Sequence, residues 1–329
     1  MKTTRCTWLG AGVALAMAPV AAQVPPAPRT SWGEPDLTGT WTSRPELSVP
    51  FERPAEFGER RELTDEEFAA RAAQVERQLA TDNADFDVET ADRSTAGQVG
   101  SATSPPPHWL ERGTPSRRTS LVVDPPDGRI PPLTPDGERR AQSGGGTFVN
   151  GSFSNAAFNG PKDLSLWERC ITRGLPGAIF PTVYNANVQI VQGPGVVAIT
   201  YEMIHDARVI PTDGSAPLGS AIRGYFGSSR GHWEGDTLVV DVTNFSDQAN
   251  YRGSRDTLHL VERFTRVGGG LRYEVTVDDA DTWMKPWTAA LELSSQEEVM
   301  FEYACHEGNN SMRNILSAAR AADRGGARE

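Results

Sequence analysis

Long apolar runs are scarce in this chain. The one that stands out, "WLGAGVALAMAPV" near the N-terminus, is too short to cross a bilayer. No other segment approaches that length, which excludes a helical membrane span after it. Cysteine and histidine are few, three and five in 329 residues, and no paired-cysteine spacing of a zinc site occurs. There is no glycine-rich phosphate loop, no dinucleotide fingerprint, no haem-attachment motif and no calcium loop. The sequence therefore gives no support to a cofactor, and none is expected, zinc being a minor alternative. Positive charge is in deficit as well. The net charge of -11 disfavours nucleic acid and anionic membrane surfaces as partners. The remaining partner class is a small-molecule ligand.

Lys2 and Arg5 precede the apolar run, and Val20 and Ala22 supply small side chains at a cleavage site. Residues 1–22 are expected to be a signal peptide, cut after Ala22. The mature chain is then periplasmic or extracellular. Cys6 leaves with the leader, and Cys170 and Cys305 remain. An oxidising compartment favours their pairing. Such a bridge is worth about 4–5 kcal/mol in the chain-entropy model.

The chain also contains 24 prolines and 32 glycines, which predict turns and long loops rather than a helical bundle. Residues 23–34 form a Pro-rich extended linker. A wrapping region follows over 35–186. Within it, "PDLTGTW" places a short strand with Trp41 in the core. "LTDEEFAARAAQVERQLA" (63–80) is a helix opened by a Thr64–Glu67 capping box. Residues 81–107 are a flexible loop, and 119–131 a hairpin turning at "DPPDG".

From Asn187 the pattern alternates apolar and polar residues in "VQIV", "VVAITYEM", "ARVIP", "DTLVVDVTNF", "TLHLVERFTRV", "LRYEVTVDD", "TAALELS" and "EVMFEYAC". Period two with short turns predicts an antiparallel meander over 187–308. The fold class is mainly β: a lipocalin-like up-and-down barrel or a strongly curved sheet. A short helix and tail end the chain at 309–329.

Several clusters carry candidate chemistry. "GSSRG" (227–231) spells a nucleophile elbow, but no helix follows it, so a glycine-rich loop is the better reading. "EMIHDARVIP" puts His205, Asp206 and Arg208 beside a strand end, where His205 suits acid–base work with Asp206 orienting it. Glu262 falls on the Leu258–Leu260–Phe264 face of its strand. A carboxylate there is either a general acid or a structural partner of Arg223 or Arg230. His306 and Glu307 form a second acid–base pair. Arg208, Arg223, Tyr225, Arg230, Trp233, His259, Trp283 and Tyr303 are the candidate ligand contacts.

Together "PDLTGTW", "SLVVDPPDGRIPPLTPDG", "RCITRGLPG", "RGHWEGDTLVVDVTNF" and "EYACHEGN" resemble a family of exported bacterial proteins. That resemblance implies export and brings no activity, cofactor or catalytic residue. The function expected from the residues is a secreted, cofactor-independent lyase, hydratase, isomerase or hydrolase acting on a small organic or carbohydrate-like molecule. A binding or carrier protein without turnover, and a structural envelope protein, are the alternatives.

Overall fold

The computed structural model describes residues 27–84, 110–142, 148–149, 152–153 and 158–324. The expected leader, and most of the expected 81–107 loop, lie outside these residues. Among them, three helices decorate one large antiparallel sheet.

Strand β1 (Gly39–Thr42) is followed by helix α1 (Asp65–Ala84). The helix begins where its cap predicts: Thr64 Oγ1 accepts from the Glu67 amide, and the Glu67 carboxylate accepts from the Thr64 amide. The helix continues four residues past the periodic stretch, to Ala84. Strand β2 (Val122–Asp124) comes next, then helix α2 (Pro135–Gln142), capped by Thr134. A two-residue pair, β3 (Phe148–Val149) and β4 (Ser152–Phe153), stands apart.

The main strands follow as β5 (Asn187–Gly193), β6 (Val196–Tyr201), β7 (Ala207–Pro211), β8 (Ser228–Glu234), β9 (Thr237–Thr243), β10 (His259–Val267), β11 (Gly270–Asp278) and β12 (Trp287–Gln296). Helix α3 (Ser311–Arg324) ends the described chain. The sheet has ten strands in the order β7-β6-β5-β1-β12-β11-β10-β9-β8, with β2 pairing to β12 off this path.

The alternation works as period-two burial requires. Leu238, Val240, Val242, Leu260, Phe264, Leu271, Tyr273, Val275, Leu291 and Trp41 point to one dry interior. That interior is filled by side chains.

The sheet is strongly curved and is not closed by hydrogen bonds. Edge strands β7 and β8 nevertheless meet. A Cβ on Gly231 would stand 2.9 Å from Ile210 Cγ2 and 2.9 Å from Thr212 Cγ2. A glycine is therefore what lets the two edges approach.

Three expectations need correction. Segment 298–305 is no strand, despite its alternation: Val299 and Phe301 are each 76% exposed. Both flanks of β12 and of β1 are already paired, so no neighbouring edge is left for it. The 119–131 hairpin does not form either, because β2 pairs with β12 instead of with a return strand. Finally, "SSRGHWE" is not a loop but strand β8, bonded along its length to β9. The barrel-like unit therefore borrows β1 and β2 from the wrapping region and stops at Gln296.

Candidate ligand-binding cleft

The registers put the ends of β6 and β9 and the starts of β5, β7, β8 and β10 at one mouth of the curved sheet. A cleft of about 570 Å³ opens there, lined from three segments: 162–175, Tyr225, and 247–258. The first wall is a tight local fold. Ser165 and Glu168 cap each other reciprocally. Cys170 then takes a left-handed backbone (φ 54°), and Gly174 another (φ 64°). Left-handed geometry suits Gly174 and is strained at Cys170. The second wall turns at Asn250, whose side-chain oxygen accepts from the Gly253 amide. Tyr251 leans from this wall on Trp283 and Trp287. Burial pushes its hydroxyl up to about 12, with Arg252 opposing.

Next to the first wall lies the "EMIHDAR" turn. Asp206 accepts from the Thr172 hydroxyl at 2.9 Å and the Arg173 amide at 3.3 Å. Burial holds its carboxyl above the usual range, and those two hydrogen bonds oppose the shift. His205 is exposed and its Nδ1 sits 3.4 Å from the Tyr303 carbonyl. Ile204 and His205 both have positive φ, 64° and 49°, an uncommon strain for a β-branched residue. Tyr303 stacks on Tyr184. The Cys170–Cys305 disulfide ties the C-terminal segment to the same corner. His306 and Glu307 are exposed in the turn after it.

The other candidates are dispersed. Glu262 is fully buried in the sheet interior. It accepts from Arg208 Nη1 at 2.6 Å, Arg208 Nη2 at 2.9 Å and the Tyr273 hydroxyl at 2.8 Å. Its partner is thus neither Arg223 nor Arg230. Burial lowers the Arg208 pKa, but Glu262 together with Tyr201 and Tyr273 outweighs it and holds the guanidinium above its ordinary value. Burial, then Glu262, raises the Tyr273 hydroxyl well above the usual range.

Arg223 donates to the Phe245 and Asp256 carbonyls, and Arg230 to the Ala216 carbonyl. His259 pairs with Asp241 at 2.7 Å on the outer face. Trp283 belongs to the core, and half-buried Trp233 packs against it. Of the named ligand contacts, only Tyr225 lines the cleft. His205 and Glu262 line neither this cleft nor a second cavity of about 370 Å³ beside α1.

Sequence reasoning missed the 162–175 wall, with Trp167 and Arg173, and the 247–258 wall. Both are irregular and show no periodicity. The signal available was a run of cations and aromatics beside Cys170. Among the described residues, no group of three or more His, Cys, Asp or Glu is placed to hold a metal ion. No helix there is long and apolar enough to cross a membrane. No protein-family model, curated protein or solved structure matches this chain.

Proposed function

We propose that this is an exported small-molecule binding protein whose ligand occupies the cleft at the mouth of the curved sheet. The cleft itself carries the reading. Its volume of about 570 Å³ falls in the range of small-ligand sites, roughly 300–1,000 Å³. Trp167, Tyr225 and Tyr251 offer ring surface, and polar groups converge from separate segments. The disulfide supports an oxidising compartment, and the resemblance to exported bacterial proteins belongs to the same proposal. Gln248 lines the cleft with an exposed side chain, so Gln248→Trp blocks the cleft without disturbing the core. Calorimetry with glucose, glucuronate, citrate and benzoate tests the reading. At least one probe should bind the native protein, and Gln248→Trp should weaken it about tenfold or more. Unchanged binding in that variant sinks the assignment.

Turnover by acid–base chemistry is the second reading, and one observation favours it. Asp206, its carboxyl raised by burial, is bonded to two residues of the cleft wall next to a strained turn. Strain of this kind gathers at functional sites. Asp206→Asn should then abolish conversion of a bound probe while leaving its affinity within about threefold. A variant that still turns the probe over at the native rate ends this reading.

A further inference from the structure

Resting on the cleft reading above, we propose that the ligand is an oxyanion, bearing a carboxylate, phosphate or sulfate group, and that Arg173 anchors it.

Four cations line the cleft, Lys162, Arg169, Arg173 and Arg255, against one carboxylate, Asp247. This local excess runs against a chain with 43 acidic and 32 basic residues. None of the four side chains forms an ion pair or a hydrogen bond with another described residue. Inward-lying arginines elsewhere are consumed by the fold: Arg53 by Thr119 and the Pro126 carbonyl, Arg118 by Glu46 and the Ala290 carbonyl, Arg208 by Glu262.

Arg173 is half-buried. Its guanidinium lies 4.8 Å over the Trp167 ring. Burial lowers its pKa, with Tyr184 and Tyr303 opposing. A guanidinium stacked on a ring keeps its edge free, and that edge matches the two oxygens of a carboxylate or phosphate. A cation taken partly out of water without a counter-charge is costly. An oxyanion in the cleft would remove that cost, and Lys162, Arg169 and Arg255 would add longer-range attraction.

The test uses the full mature chain, with glucuronate and glucose as a pair that differs in one carboxylate, and with citrate and inorganic phosphate as further probes. Glucuronate should bind at least about tenfold tighter than glucose, as expected for a charge-assisted bidentate contact. Raising the salt should weaken glucuronate but not glucose. Arg173→Gln should remove most of the preference, Arg173→Lys should restore part of it, and Arg255→Gln should take a smaller share. If Arg173→Gln does not fold, Arg255→Gln and the salt dependence carry the test. Glucose binding as tightly as glucuronate, in a cleft that Gln248→Trp still blocks, overturns the inference and leaves the cleft reading intact. Failure of glucuronate, citrate and phosphate alike to bind also overturns it. Probe binding indifferent to Gln248→Trp removes the cleft reading along with it.

Discussion

Glu262→Gln is expected to lower the unfolding free energy by about 3–5 kcal/mol, the usual penalty for stripping a buried charge of its partner. Arg208 and Glu262 have 4% and 0% exposed side chains. Strands β7 and β10 are six steps apart along the sheet, so a flat sheet would separate them by about 29 Å at ordinary strand spacing. Their side chains nevertheless meet at 2.6 Å. The pair is therefore a clasp across the curled sheet, and its loss leaves a guanidinium in an apolar interior. The variant Arg208→Met with Glu262→Met and Tyr273→Phe removes the ion pair and the Tyr273 hydroxyl together. It should recover most of the loss, because a buried ion pair is often replaceable by apolar side chains of similar volume. Urea unfolding at neutral pH measures both. A cost below about 1 kcal/mol for Glu262→Gln would mean that water reaches Arg208 and that the interior is not dry.

Opening the disulfide should cost a similar amount. Cys170 and Cys305 close a loop with a sequence separation of 135, for which the chain-entropy model gives about 4–5 kcal/mol. Among the described residues, the segment it fastens pairs with no strand of the sheet. Residues 297–302 make no strand, and Val299 and Phe301 lie exposed. Tyr303 stacks on Tyr184, and Leu316 on α3 is buried. The double variant Cys170→Ser, Cys305→Ser should show a lower denaturant midpoint, and fast amide exchange should spread from 297 through α3. It should also weaken probes in the cleft, since the cleft residues Thr172 and Arg173 lie in the turn just after Cys170. A midpoint unchanged by the variant or by reductant would show that packing alone fixes this corner.

Much of the sheet is legible from the residues. Strands β5 to β7 and β9 to β12 announce themselves by alternation, because each has one dry face. Helix α1 is readable from its cap and its spacing, and Trp41 from its turn-strand context. Other features depend on partners that a local pattern does not name. Strand β8 is hidden by Gly227, Gly231 and Gly235, residues that usually mark loops; here Gly231 admits the neighbouring edge. Segment 298–305 has the alternation of a strand but no free edge beside β12 or β1 to join. Glu262 is recognisable as a carboxylate on an apolar face, but its partner depends on curvature, which brings in Arg208 rather than Arg223 or Arg230. The cleft is the least legible feature. Its walls are irregular chain, held by caps, left-handed residues and the disulfide, and their chemistry emerges only when 162–175 and 247–258 face each other.

Strand β1 has a consequence in time. Among the described residues it is the only strand whose backbone pairing joins the β5–β7 group to the β8–β12 group. Trp41 pairs with Val188 on one side and Ser295 on the other. The first strand to be synthesised must therefore wait for the last. Until β12 is complete, β1 has at most one of its two partners, β5, and its other side stays open. Such distant pairing slows folding and exposes unpaired strands meanwhile. A chain that becomes available from its N-terminus leaves β1 without its second partner until nearly the whole length is present, so the vulnerable period of folding is set by four residues, Gly39 to Thr42.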